Sequence, residues 1–261
     1  MKRMKFSAQE LYVMAATAGK GKMFGIPDGF AWTPDEEIPA ARQRIKDALL
    51  DEEILAMDFD GKISVTPDYA ELVNVYCDCK KCLTVNRQKA EGESEDVIFW
   101  QGNGKLYRAE VLEEDYVFSE IDDLSAEAEL TQNNWSTIST AKDAEAVIPQ
   151  IALTKAKRYG MQGDTEETLR ILKQNGADDR LAAVLMDGLQ EKAQYLGLLL
   201  MDIRSGKCEK TEKAWLNSRG VLFAMRTTVV NFRTCTVFTE TDKDTALADE
   251  KELIDTFLGR E

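Results

Sequence analysis

"DVIFWQGNGKLYRAEVLEEDYVFSEI", residues 96–121, decides the fold. Three runs in it, 96–101, 105–113 and 115–121, are rich in β-branched and aromatic residues, which suit strands. Asn103-Gly104 is the pair preferred in a two-residue hairpin turn. Residues 82–88, "CLTVNRQ", add a fourth strand ahead of them, and 89–95, "KAEGESE", read as a polar loop. This is an antiparallel meander. Its second strand has an unusual pattern. Side chains alternate across a strand, so Ile98 and Trp100 share one face and Val97 and Phe99 the other. Both faces are apolar and both need cover. Near the other end, "GVLFAMRTTVV" (220–230) repeats the problem, with Val221, Phe223 and Met225 opposite Leu222 and Ala224. Two kinds of cover are open: the chain's own helices, or a partner.

Helical patterns flank these strands. In "FSAQEL" (6–11), Ser7 and Glu10 are spaced for a capping box, and Phe6 and Leu11 for a hydrophobic staple. Residues 19–30 form a glycine-rich break that lacks the spacing of a phosphate-binding loop. A second helix is expected from Pro39 to Met57, with Ile45, Ala48 and Leu49 inward. A short hairpin follows with its turn at Asp60-Gly61, and a third helix starts at Thr66-Pro67. Helix, hairpin, helix resembles a winged-helix arrangement, read here as a packing module. Between Ala109 and Glu129 there are nine acidic residues and no basic one. That stretch is a solvated face or a docking surface for a basic partner.

After a polar stretch the plan resumes. Helices are expected at 149–160, at 164–176 with Asp164 as cap, and at 178–193. Strands follow at 195–203, 220–230 and 235–241, then a closing helix that turns Leu253, Phe257 and Leu258 inward. The reading is α+β: a pseudo-two-fold arrangement of antiparallel sheet flanked by helices. An N-terminal half spans 1–130, a linker 131–146 and a C-terminal half 147–261.

Composition limits the function. The chain has 261 residues, a formal net charge of −14 and no histidine. Ser-His and Cys-His nucleophiles and His-ligated metals are excluded. No Lys/Arg cluster opposes the negative field, so no nucleic-acid partner is expected. No apolar run approaches the ~20 residues of a membrane span, and a cytoplasmic location without membrane insertion is expected. Cys77, Cys79 and Cys82 are spaced C-x-C-x2-C. A zinc site there would need Cys208 or Cys235 as a fourth ligand. The preferred reading is packing, with free cysteine as a small apolar side chain. No carboxylate pair stands out, so no catalytic residue and no cofactor is assigned.

Four stretches carry a resemblance. "FSAQELYVMAATAG" (6–19) leads through "FGIPDG" (24–29) to "RQRIKDALLDEEILAMDFDGKISVTPDYAELV" (42–73). The end, "KAWLNSRGVLFAMRTTVVNFRTCTVFTETDKDTALADEKELIDTFL" (213–258), is strands and a closing helix. In order and spacing this resembles the EspG family, the cytosolic chaperones of ESX (type VII) secretion systems. The resemblance implies a pseudo-two-fold α+β fold, no catalysis, and recognition of a helical secreted protein that is kept soluble for export. The Lys- and Glu-rich composition looks like that of a Firmicute relative. That would make a WXG- or LXG-type protein the expected partner, where actinobacterial members take PE–PPE pairs. Self-association as a homodimer is compatible with this. The strand argument offers Trp100, Tyr107, Phe223 and Met225 as partner-binding residues. An alternative is an acidic immunity protein that neutralises a co-encoded basic toxin.

Overall fold

The computed structural model describes residues 4–89, 93–102, 104–133, 135, 145–204 and 207–260. Among them are eight helices and twelve strands in an α+β fold. The chain divides into two compact units. Unit 1 holds Met1–Thr84, Asp96–Ala126 and Leu200–Lys210; unit 2 holds Val85–Glu95, Glu127–Leu199 and Thr211–Glu261.

Unit 1 opens with β1 (Lys5–Ser7) and α1 (Ala8–Thr17). The capping box forms as expected. Glu10 N–H donates to Ser7 Oγ at 3.2 Å, and Ser7 N–H donates to the Glu10 carboxylate at 2.8 Å. This satisfies two amides that a helix start otherwise leaves open. α2 (Ile38–Asp51) stops short of the expected Met57. Glu53 takes a left-handed φ of +58°, which ends the helix, and Leu55–Met57 becomes β2, paired with β3 (Ile63–Val65). Thr66 then precedes α3 (Pro67–Cys77), with proline in its first turn.

The strands of unit 1 come from β4 (Lys81–Gln88), β5 (Ser94–Gly102), β6 (Lys105–Leu112) and β7 (Asp115–Ile121), with the end of β9 (Gln194–Arg204). Their order is β1-β7-β6-β5-β4-β9. Register places Trp100 opposite Tyr107 and Ile98 opposite Ala109. Asn103 of the expected turn lies outside the described residues. On β5, Val97, Ile98, Phe99 and Trp100 are all buried, so both faces are covered. Trp100 stacks on Phe118 at 5.4 Å and donates from Nε1 to the Phe24 carbonyl at 2.7 Å. Tyr76 donates to the Leu11 carbonyl at 3.0 Å, tying α3 to α1.

Unit 2 contains β8 (Glu145–Pro149), α5 (Gln150–Met161), α6 (Thr165–Gln174) and α7 (Asp179–Leu189). It continues with β10 (Lys207–Ser218), β11 (Val221–Val230), β12 (Arg233–Thr241) and α8 (Lys243–Leu258). Its strand order is β4-β9-β10-β11-β12-β8. Strands β8 and β10 were not expected from sequence. Most of the expected linker, 134 and 136–144, lies outside the described residues, and its last two positions begin β8. Asp164, Asp178 and Asp242 cap α6, α7 and α8 by accepting backbone N–H bonds.

Helices α5–α7 cover one face of these strands through Ile148, Ala152, Leu172, Leu181, Phe223 and Phe238. α8 covers the other. Lys213 and Trp215 share a face of β10 by alternation, and Lys213 Nζ bonds Asp249 at 3.0 Å and Glu252 at 2.8 Å on α8. Four elements, β4, β5, β9 and β10, and helix α4 (Asp123–Leu130) each contribute residues to both units.

Candidate partner-binding surface

The four residues offered from sequence lie in two separate pairs. Trp100 and Tyr107 are cross-strand neighbours in unit 1; Phe223 and Met225 share a face of β11 in unit 2. Trp100 is fully buried, Phe223 lies in the α5–α7 core, and Met225 packs half-buried against that core. Tyr107 is buried, and its hydroxyl donates to Glu120 at 3.5 Å. Burial holds the Tyr107 hydroxyl above its ordinary pKa, with Glu120 adding to this. Phe118 and the connector at Phe24 thus cover Trp100, and the α5–α7 core covers Phe223.

The three clustered cysteines are packed into the core. Cys77, Cys79 and Cys82 are buried. Burial pushes the Cys77 and Cys79 thiols up to about 12, with the Asp78 carboxylate adding to both, and raises Cys82 as well. Burial thus favours the neutral thiol at all three positions, and the neutral thiol is a poor nucleophile. Cys82 packs against Gly25, where an added Cβ would fall 2.8 Å from Cys82 Sγ and from Ile98 Cγ2. Among the described residues no three Cys, Asp or Glu side chains are grouped to hold a metal ion. A broad depression of about 790 Å³ beside the β5–β6 turn is lined by Lys80, Lys105, Glu120, Asp122 and Asp123. Two of its three carboxylates are occupied: Glu120 lies 3.6 Å from Lys105, and Asp122 caps α4 through the Ser125 amide.

What the sheet leaves uncovered is the end of the β11–β12 hairpin. The β10–β11 ladder pairs Ala214–Ser218 with Met225–Val221, and among the described residues it stops there. The β11–β12 ladder continues from Arg226↔Val237 to Val230↔Arg233. β8 pairs with β12 from Thr239 to Cys235, so among the described residues the hairpin is a two-stranded ribbon only beyond Thr228. Val229 is 70% exposed, Val230 42% and Phe232 103%. Alternation puts Val229 on the α5–α7 side and Val230 on the other. Ile151, 78% exposed, opens α5 just after Pro149, which pairs with Cys235 at the ribbon's base.

The turn itself is strained. Two residues, Asn231 (φ +49°) and Phe232 (φ +62°), close the hairpin, both left-handed. Such turns favour Asn-Gly, because glycine alone takes this conformation without steric cost. A phenylalanine in the glycine position, fully in water, lowers stability and buries nothing. Strain of this kind concentrates at functional sites. The hairpin also differs in charge: Met225–Thr239 contains Arg226 and Arg233 and no carboxylate, in a chain of net −14. In the sequence, the visible signal was "VVNFRT" (229–234), an apolar aromatic where the turn wants glycine. A smaller counterpart sits in unit 1, where the β2–β3 hairpin exposes Met57 (63%) and Phe59 (111%).

No helix among the described residues is long and apolar enough to cross a membrane. No family model and no curated protein matches the chain. Among solved structures it is similar to the Mycobacterium tuberculosis type VII secretion system chaperone EspG5, in complex with a PE25-PPE41 dimer. The identity is 10% and the TM-score 0.49, over 97% of this chain and 96% of that one.

Proposed function

We propose that the chain is a non-enzymatic cytosolic chaperone or adaptor that binds a helical protein exported by a type VII system, of WXG or LXG type, and keeps it soluble. One observation carries the binding role: the β11–β12 ribbon presents Val229, Val230 and Phe232 to water on a strained turn. A helical hairpin that buries its apolar stripe only against its partner would find a matching apolar surface there. The class of partner comes from the resemblance of residues 6–73 and 213–258 to the EspG family.

The test is co-expression with each small helical product of the neighbouring genes, followed by size exclusion. A stable one-to-one complex is expected with one of them, and Phe232→Asp removes it. If no product co-elutes, the reading is wrong. If the partner proves to be a toxin whose activity the chain blocks, the immunity role replaces it.

A further inference from the structure

A groove in unit 1 lies between α1, the connector that follows it and α2. It consists of two adjoining depressions of about 440 and 360 Å³, both lined by Tyr12 and Ala16. Val13, Ile26, Ile38 and Pro39 complete an apolar floor. Ala16 is exposed at its centre and leaves open space where a larger residue would stand. The rim is basic. Lys20 and Lys22 come from the connector and Arg42 and Lys46 from α2; Asp28 is the one carboxylate among the described lining residues. Asp28 is engaged, since its Oδ1 accepts from Phe30 N–H at 2.9 Å.

The four cations are not equivalent. Lys20 pairs with Asp78. Arg42 lies over the Tyr12 ring at 4.8 Å and the Phe30 ring at 5.3 Å, and donates to the Tyr12 hydroxyl at 3.0 Å. Lys22 and Lys46 have no ion-pair partner among the described residues. On a chain of net −14, unpaired lysines beside an apolar trough favour an anionic ligand with an apolar body.

A phosphate polymer would gain nothing from the apolar floor, and Arg42 is engaged by the Tyr12 and Phe30 rings and the Tyr12 hydroxyl instead of presenting a free fork to phosphate. We propose that this groove binds an acidic amphipathic peptide segment. Its carboxylates meet Lys22 and Lys46, and an apolar side chain fills the space over Ala16. The inference rests on unit 1 alone and is independent of the secretion reading.

Three probes test it on the full chain by fluorescence polarisation and amide NMR shifts. They are a helical peptide of about fifteen residues with a leucine stripe and glutamates elsewhere, its lysine-for-glutamate twin, and a single-stranded DNA oligonucleotide. The acidic peptide is expected to bind, to shift the amides of Ala16, Lys22 and Gln43, and to weaken as salt rises. Lys22→Glu with Lys46→Glu, both at accessible positions, is expected to weaken it about tenfold or more. Ala16→Trp, which fills the trough and keeps the charge, is expected to do the same. Equal binding of the lysine twin overturns the proposal. So does stronger binding of the oligonucleotide at these amides, or no shift in the groove with any probe.

Discussion

Phe232→Gly should make the protein more stable and less able to hold its partner. The left-handed conformation costs a non-glycine residue about 1–2 kcal/mol. Phe232 has φ +62° and is 103% exposed, so its removal forfeits no burial. Against that gain, glycine adds about 0.5–1 kcal/mol of chain entropy to the unfolded state. The net is a stabilisation between about 0 and 1.5 kcal/mol by combining these two figures. Urea denaturation reads it as a higher midpoint at unchanged slope. Phe232→Ala is the control. It keeps the strained φ and should stay within about 0.5 kcal/mol of wild type, yet it too should lose the complex. A glycine variant destabilised by more than about 1 kcal/mol, on the scale of an average substitution, would refute the argument that this side chain does nothing for the fold. Undiminished partner binding by both variants would refute its role in recognition.

Two further predictions concern the fold. An added Cβ at Gly29 would fall 2.6 Å from Gln9 N, 2.7 Å from Ala8 C and 2.8 Å from Ala8 O, all backbone of the first turn of α1. Gly29→Ala should therefore cost about 1–3 kcal/mol, the range for overpacking; a urea midpoint unchanged from wild type would show that the connector yields freely. Glu250, 2% exposed on α8, has its carboxyl pKa raised above 4.5 by burial, with Asn133, Arg87 and Trp135 pulling the other way. Between 4.5 and that raised value the native state keeps a proton the unfolded chain has released, so this group's contribution to stability falls as pH rises through the window. Asp122, Asp187 and Asp242 are held below their ordinary range and titrate beneath it. Glu250→Gln should erase the downward slope above pH 4.5; the same slope in both proteins would count against the assignment.

Local signals with one dominant physical cause were legible. The Ser7–Glu10 box, the proline start of α3, the Asp164 cap and the meander of β5–β7 all formed where their side chains require. Elements held by neighbours were not. Strand β10 begins "KCEKTE", charged or polar on both faces and exposed along its first six residues, so no period-2 apolar pattern announces it. β8 is five residues long and takes its register from β12. α2 ended early because its apolar period runs on past Asp51 while Glu53 breaks the backbone, a turn that hydrophobicity does not report. The strand argument correctly found two-faced apolar strands, but sequence alone could not tell that α5–α7 and α8 would cover both sides of Phe223. Of the exposed groups that remain, Val229 follows the ordinary alternation of a strand, and only Phe232, standing where the turn wants glycine, departs from pattern.

The division of the chain has a consequence for biosynthesis. Unit 1 takes its last segment from Leu200–Lys210, although its earlier segments end at Ala126. A ribosome adding roughly 5–20 residues per second needs several seconds to pass from one to the other. During that delay the nascent amino-terminal region has one edge of its hydrogen-bonded ladder unfilled, ready to pair with another extended chain. Truncation before Gln194, which removes β9, would make that vacancy permanent, so such shortened products should accumulate as aggregates or be degraded, not persist as a smaller folded protein.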